Sequence, residues 1–426
     1  MVPSVSPSTP DRIRRLAAAL LVVTVAATAA PAPAAAAATL TQVPYAMDSS
    51  NQAGWWTPLE TYVGGYEYAY LAYNEPGSMP GTHRIAVARR DGAGAWSRLP
   101  VMNGATQAEY ADDLGHNQPS IARDGSGRFH VFASMHNNTW RYFRSDTVGG
   151  APQYHSGDLP DQGIGVTYPV LTSAPNGDVY AMARLDGTSA RSGRLYRWNN
   201  ATSTWSRVAI FAQTASRAVY PDDLQFDANG ALHLLWEWGV YPSSAFRHEL
   251  SYLKYDPATG AFTDHTGAAA TLPVTTATAD VVQPLGATET YADTDAAVQS
   301  AKLTVDPTGA PRIAYRYRTT GAGVFDVRYA YPSGAGWIRE PVTTGVATTA
   351  AIDITWHPTE AKRVYYVLAA GSDRAYAATK PGSSWTATSL APGVPVERLA
   401  VERDAAGVDV LYLVDLTNLR LYYGRN

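Results

Sequence analysis

The stretch PSIARDGSGRFHVFASMH, residues 119–136, holds two runs of alternating apolar residues around the turn Asp124-Gly125-Ser126-Gly127. Two such runs joined by a turn rich in Asp and Gly predict a β-hairpin. The same unit recurs along the chain. Its other copies are YPVLTSAPNGDVYAMARL (168–185), YPDDLQFDANGALHLLWEW (220–238), SAKLTVDPTGAPRIAYRYR (300–318), AIDITWHPTEAKRVYYVLA (351–369), ERLAVERDAAGVDVLYLVD (397–415) and a degenerate first copy with a missing or altered opening strand, YVGGYEYAYLAYNE (62–75).

A second recurring unit lies between these hairpins and consists of a Tyr- or Arg-rich strand, a turn of small residues and an aromatic residue. Its copies are RIAVARRDGAGAW (84–96), RLYRWNNATSTW (194–205), LSYLKYDPATGAF (250–262), VRYAYPSGAGW (327–337) and AYAATKPGSSW (375–385). Two hairpins per repeat make a four-stranded blade, and most repeats are about 46 to 52 residues apart, which is the spacing of propeller blades. We therefore predict an all-β, seven-bladed β-propeller. The even two-hairpin period favours it over a sandwich or a β-helix.

The ends of the repeat array predict how the ring closes. The last blade ends near residues 419–425 with about three strands, so residues 39–47 are expected to supply the fourth strand. The gap between the third and fourth full copies is longer than the others, and residues 268–297 are interpreted as an insertion on a rim, where loops often shape a cleft.

Residues 1–38 form a predicted secretory signal peptide. Three arginines precede the apolar run 16–30, which is followed by small residues suited to cleavage. The run is shorter than a membrane-spanning helix requires. We therefore expect a secreted, extracellular protein without a membrane anchor, consisting of one propeller domain over residues 39–426.

Composition narrows the classes of function. The chain has no cysteine, which excludes disulfides and thiolate metal sites. Its formal net charge of −4 does not favour a nucleic-acid partner. Tyr and Trp, at 27 and 11, are abundant beside 8 Phe, a bias common in clefts that bind sugars. We expect a monomer.

The hairpin turns predict which side chains meet near the propeller axis. If Ser126 is the centre of its turn, His116 lies opposite His136, and if Asn176 is the centre of the next turn, Tyr168 lies opposite Arg184. Equivalent ends of inner strands converge near the axis, so these four residues are expected to face one funnel. The fourth blade repeats the layout and is expected to add Tyr220, Asp222, Asp223, Trp236, Glu237 and Trp238.

Residues 115–145, 167–187 and 220–238 resemble the BNR-repeat propellers that include ulvan lyases and L-rhamnosyl-α-1,4-glucuronate lyases. The resemblance extends over most of residues 39–426, but its specific motifs lie within residues 115–255. In those lyases the active site is formed by two histidines 20 residues apart, a tyrosine, and an arginine 16 residues after it. The matching positions here are His116, His136, Tyr168 and Arg184.

The resemblance implies a polysaccharide lyase that cuts a rhamnose-(1,4)-glucuronate bond by β-elimination, as in ulvan or plant gums such as gum arabic. Arg184 would neutralise the uronate carboxylate, and Tyr168 would transfer the protons alone or together with His136. His116 would polarise or orient the reacting groups. Substrate contacts are expected from Asn117, Tyr220, Trp236, Trp238 and Arg247.

The chemistry implied by the resemblance needs no cofactor, but some members of the family hold zinc, with a cysteine among the ligands, or calcium. Asp222, Asp223, His233 and His248 are the candidate ligands of a divalent cation here. Two other functions stay open. A carbohydrate-binding propeller would bind sugars without cleaving them, and a sialidase-like glycoside hydrolase would carry Ser-x-Asp-x-Gly-x-x-Trp boxes that are stricter than the turns of this chain.

Overall fold

The computed structural model describes Met1 and residues 38–63, 67–295, 297–319, 321–346, 351–357 and 361–426. The chain divides into two compact units, Met1–Ala34 and Ala35–Asn426, and all described strands belong to the second. The predicted signal peptide lies outside the described residues, apart from its first and last residues. Within those described ranges, no helix is long and apolar enough to cross a membrane.

The strands form seven sheets, which confirms the predicted seven-bladed propeller; the pairing within them is antiparallel apart from that of Met102–Asn103 with Pro152–Tyr154. The blades are numbered 1 to 7 along the chain, and the four main strands of each are given from the innermost outward. Blade 1 consists of Leu59–Val63, Glu67–Pro76, Thr82–Arg90 and Trp96–Pro100; blade 2 of Ser120–Arg123, Phe129–Phe132, Tyr142–Ser145 and Pro152–Tyr154; blade 3 of Val166–Ser173, Val179–Leu185, Ser192–Asn199 and Thr204–Ala212; and blade 4 of Arg217–Phe226, Leu232–Val240, Glu249–Asp256 and Ala261–Thr263. Blade 5 consists of Ala297–Val305, Pro311–Arg318, Phe325–Ser333 and Gly336–Val346; blade 6 of Ile352–His357, Ala361–Val367, Ala375–Thr379 and Thr386–Ser389; and blade 7 of Arg398–Arg403, Asp409–Asp415, Arg420–Arg425 and Thr39–Gln42.

Short additional strands widen four of the blades. They are Glu109–Ala111 in blade 1, Met102–Asn103 and Thr106–Gln107 in blade 2, His136–Asn138 in blade 3 and Asp280–Gln283 in blade 4. The last of these lies inside the predicted rim insertion, so part of that insertion is a fifth strand of blade 4. One short 3-10 turn, Ser156–Asp158, is the only helical element of the described ranges.

The ring closes between the two ends of the array, as the sequence predicted. Thr39–Gln42 pairs antiparallel with Arg420–Arg425 and completes blade 7. The first strand of each blade contacts the first strand of the next blade, and blade 7 contacts blade 1 in the same way, so these strands surround the axis. Blade 1 has an opening strand, Leu59–Val63, although its sequence departs from the repeat.

The hydrophobic core lies between the blades. Seven clusters of buried apolar side chains are each shared by two neighbouring blades, and together they run around the ring. This distribution follows from the period-two pattern, because both faces of each blade pack against a neighbour. The hairpin turns are those predicted from Asp and Gly; Gly127, for example, adopts φ 83°, which glycine alone adopts without strain.

Candidate active site

A β-bulge at the axial end of blade 3 brings Tyr168 into the site. The bulge lies between Thr167 and Val170, and Tyr168 adopts φ 56°, a conformation that is rare and costly for an aromatic residue. Arg184 consequently pairs with Thr167, so the predicted pairing of Tyr168 with Arg184 is wrong by one residue. The two side chains nevertheless meet, with the Arg184 guanidinium carbon 4.8 Å from the centre of the Tyr168 ring.

The two predicted histidines also meet, by a route that the hairpin register did not predict. The ladder of blade 2 follows that register only as far as the pair Ser120 and Phe132. Beyond it the chain leaves the blade, and His136 pairs with Thr167 of blade 3. The imidazoles of His116 and His136 are stacked, with ring centres 3.6 Å apart and planes at 16°.

Asp113 fixes both imidazoles. Its two carboxylate oxygens lie 2.9 Å from Nδ1 of His116 and 2.6 Å from Nδ1 of His136. Partial burial acts to raise the pKa of Asp113, but the hydrogen bonds from the two histidines outweigh it and lower that pKa. An ionised carboxylate accepts hydrogen bonds only, so both histidines carry a proton on Nδ1 and turn Nε2 away from Asp113.

The hydroxyl of Tyr168 is held by two groups. It lies 3.0 Å from Nε2 of His116 and accepts a hydrogen bond of 3.0 Å from Nη2 of Arg247. Burial lowers the pKa of His116 to about 4, with smaller contributions from His136 and Arg184, so this imidazole is neutral near pH 7. Its unprotonated Nε2 therefore accepts the hydroxyl hydrogen of Tyr168.

Arg184 is a buried cation with no acidic partner among the residues that the structure describes. It is 2% exposed, its guanidinium lies 4.8 Å from the ring centres of both Tyr168 and Tyr220, and its hydrogen bond to Asn137 Oδ1 is 3.5 Å long. Burial lowers the pKa of Arg184. A buried charge is costly unless it is paired, so this position favours an anionic ligand.

These groups line one cavity of about 380 Å³. All four predicted catalytic residues line it, and so do the predicted contacts Tyr220 and Arg247. Its other lining residues, which the sequence analysis did not select, are Gln52, Trp55, Gly115, Ser243, Ser244 and Ala245. None of the lining residues is acidic, so the cavity presents two arginines and two histidines without a carboxylate.

Three predicted substrate contacts lie elsewhere. Trp236 and Trp238 are fully buried in the core between blades 3 and 4, where Trp236 packs against Phe211, because strand alternation turns both indoles toward the neighbouring blade. Asn117 is 2% exposed and hydrogen-bonds His83 Nδ1 at 3.2 Å. These three expectations are corrected, since none of these side chains lines the cavity.

The carboxylates expected from blade 4 lie behind the cavity wall. Glu237 is fully buried, and its Oε2 lies 3.9 Å from Nε of Arg247, whose Nη2 donates to the hydroxyl of Tyr168. Burial raises the pKa of Glu237 to about 7 and also raises the pKa of Asp222. Asp223 accepts backbone hydrogen bonds from Leu224 and Leu303.

The candidate cation ligands do not converge. His233 hydrogen-bonds Tyr252 and lies 3.5 Å from Asp227, and His248 hydrogen-bonds Glu289 at 2.7 Å. In the described part of the chain, the three ligating side chains that come close together are Asp113, His116 and His136. The parallel stacking of the two imidazoles directs their lone pairs side by side, which is a poor geometry for a shared ion.

Comparisons with known proteins agree with this architecture. A profile of the BNR repeat-containing family matches residues 66–344. No sequence among the curated proteins matches the chain.

Three solved structures share the fold at low sequence identity. An ulvan lyase from a new family of polysaccharide lyases is 14% identical, with a TM-score of 0.66. The match spans 88% of this chain and 93% of the chain of that lyase. The ulvan lyase bound to -[GlcA(1-4)Rha3S]- is 16% identical with a TM-score of 0.63 and the same coverage. A further polysaccharide lyase is 13% identical with a TM-score of 0.62, and covers 90% of each chain.

Proposed function

Because the chain belongs to the BNR repeat-containing family, whose profile spans more than half of it, we propose that it is a polysaccharide lyase. It cleaves a chain containing 4-linked uronate by β-elimination. The observation that carries this proposal is the cavity itself. Its lining brings together a buried arginine with no acidic partner among the described residues, a doubly hydrogen-bonded tyrosine, and two imidazoles held by Asp113 from outside the lining.

Arg184 binds the uronate carboxylate. Removal of the proton at C5, next to that carboxylate, produces an enolate-like transition state with negative charge on the carboxylate oxygens. A planar guanidinium can pair with both oxygens and stabilise this charge. Arg184 suits the role because it is buried and has no acidic partner among the described residues, so a bound carboxylate would be the anion that it pairs with.

His136 takes the proton from C5, and Tyr168 protonates the departing oxygen at C4. Nδ1 of His136 is engaged by Asp113, and its half-exposed ring leaves Nε2 for the substrate. Tyr168 has a hydroxyl hydrogen held by His116, and Arg247 stabilises the phenolate that remains after donation. The C5–H and C4–O bonds break, a C4–C5 double bond forms, and no water is consumed.

The cavity disfavours hydrolysis. Glycosidases of the usual kinds place two carboxyl groups on either side of the scissile bond. Two acidic residues near this site do not line it: Asp113 hydrogen-bonds the two histidines from outside the lining, and Glu237 is fully buried. Two-carboxylate hydrolysis therefore lacks its acidic groups here. A sialidase-like reaction needs a Tyr/Glu pair, whereas the hydroxyl of Tyr168 contacts His116 and Arg247.

The bond that we propose for cleavage joins rhamnose to O4 of glucuronate. Support comes from the cavity, which selects an anionic sugar, and from the shared fold of the ulvan lyase bound to -[GlcA(1-4)Rha3S]-. Both sulfated and unsulfated rhamnose are included in the substrate class.

The test is incubation of the purified protein with ulvan, gum arabic and other uronate polymers. A lyase produces unsaturated uronate ends that absorb ultraviolet light, and it incorporates no oxygen from labelled water. His136→Ala should abolish the signal, whereas His155→Ala, a change at a histidine on the outer part of blade 2, should not. Binding without new ends would make the protein a carbohydrate-binding propeller, and label at the cleaved bond would make it a hydrolase.

A further inference from the structure

Residues 51–57, here called the axial strap, cross the propeller axis. Gln118, just before the first strand of blade 2, accepts a hydrogen bond from the backbone N–H of Ala53 at 2.9 Å. Arg398 of blade 7 donates to the side chain of Gln52 at 3.0 Å. Ser300 of blade 5 donates to the carbonyl of Gly54 at 3.5 Å. Because these blades surround the axis, a segment that contacts all three must lie across it.

The backbone of the strap separates two adjacent tryptophans. Ala53 and Gly54 adopt φ 32° and 82°, and a Cβ at Gly54 would lie 3.0 Å from Cβ of Ala351. After this turn the two indole planes stand at 83° to one another. Trp56 is buried and packs 5.8 Å from the ring of Tyr168, whereas Trp55 is half-buried and lines the cavity.

In the cavity, the nearest guanidinium group lies farther from the ring of Trp55 than from the rings of Tyr168 and Tyr220. The ring of Tyr168 faces Arg184 at 4.8 Å, and the ring of Tyr220 faces Arg184 at 4.8 Å and Arg247 at 4.2 Å. The guanidinium of Arg247 is 5.9 Å from the Trp55 ring, and the proton transfers proposed above do not use this indole. A partly exposed indole beside a cationic site is suited to stacking on the C–H face of a sugar, where the ring replaces water over an apolar patch.

We propose that Trp55 is the platform that binds the neutral deoxy sugar next to the uronate, and that the axial strap is therefore part of the substrate site. This inference rests on the proposed function. It divides recognition between two elements: Arg184 of blade 3 selects the carboxylate, and the strap selects the neighbouring ring. A deoxyhexose such as rhamnose suits the indole, because its methyl group adds apolar surface.

The test compares two substrates in the same variants. One is an oligosaccharide in which rhamnose is linked to O4 of glucuronate, and the other is a glucuronide with only a methyl group at O4, which has no ring to stack on the indole. In Trp55→Ala the ratio of kcat/KM for the oligosaccharide to that for the methyl compound should fall about tenfold, mostly through KM. Trp55→Phe should restore much of the ratio. Trp96→Ala, which changes a half-buried tryptophan on the outer strand of blade 1, should leave it unchanged.

Equal losses on both substrates would overturn the proposal, because Trp55 would then act only by supporting the site. A failure of the proposed function has a different result, since the wild-type protein would form no unsaturated product. Calorimetric binding of the same oligosaccharide then tests Trp55 directly: weaker binding in Trp55→Ala supports the platform, and unchanged binding refutes it.

Discussion

Replacing Tyr168 by Phe tests the proposed roles most directly. The change removes one hydroxyl group and keeps the ring that packs against Trp56. The hydroxyl contacts His116 and Arg247, each at 3.0 Å, and loss of a positioned proton donor costs roughly 10² to 10⁴ in kcat. Since Arg184 still binds the carboxylate, KM should change little.

The assay varies the leaving group. With an oligosaccharide substrate, Tyr168→Phe should show the full loss, because the departing sugar oxygen needs a proton. With a nitrophenyl group at O4 the departing oxygen is stable as an anion, so most of the activity should return. His136→Ala should be slow on both substrates, because each requires removal of the C5 proton.

Tyr220→Phe is the matched control. Its hydroxyl group lies in the same cavity wall but hydrogen-bonds the backbone of Ser244, so its removal should lower kcat much less. If Tyr168→Phe is equally slow on both substrates, or if His136→Ala recovers on the nitrophenyl compound, the division of roles is wrong. In particular, recovery of His136→Ala on the nitrophenyl compound would make Tyr168 the base.

Other variants test the remaining parts of the site and the fold. Arg184→Ala should lower kcat/KM by roughly 10² to 10³ on the uronate, and its activity on the methyl ester should fall much less, because the ester carries no charge to neutralise. Asp113→Asn should lower kcat by roughly 10² or more without unfolding the protein, as measured by kinetics beside circular dichroism, since an amide cannot hold both imidazoles in the same tautomer. Burial raises the pKa of Asp353 from 3.8 to about 7, so this carboxyl group binds a proton more readily in the folded protein than in the unfolded chain. Its contribution to stability should therefore be present at low pH and be lost as the pH rises toward and through 7. Thermal unfolding should show this slope, and Asp353→Asn should flatten it.

The fold could be predicted because its determinants are local and repeated. Each Asp/Gly turn fixes a hairpin, and the count of hairpins fixes the number of blades. The hairpin register also held close to each turn, as in the pair Ser120 and Phe132. It failed where bulges insert one residue, and in blade 3 the local mark of the bulge is Pro169, which lacks the N–H that a regular ladder needs. An error of one residue changes the face on which a side chain lies.

The site was only partly predictable because several of its parts depend on distant segments. Asp113 stands three residues before His116, but its contact with His136 exists only because the chain leaves blade 2 at that point. Trp55 reaches the cavity through hydrogen bonds from blades 2, 5 and 7 to the axial strap. The aromatic pattern instead selected Trp236 and Trp238, which strand alternation places in the core.

The features that lower the stability of this fold lie together at the axis. Tyr168 holds a positive φ, Arg184 is buried without an acidic partner among the described residues, and Glu237 is fully buried with a pKa raised to about 7. Strained and desolvated groups of this kind persist where the surrounding structure holds them for function. Here they lie next to one another, because Nε of Arg247 is 3.9 Å from Glu237 Oε2 and Nη2 of Arg247 donates to the hydroxyl of Tyr168. The arrangement places the charge of Arg247 against Tyr168, where it stabilises the phenolate of the proposed mechanism.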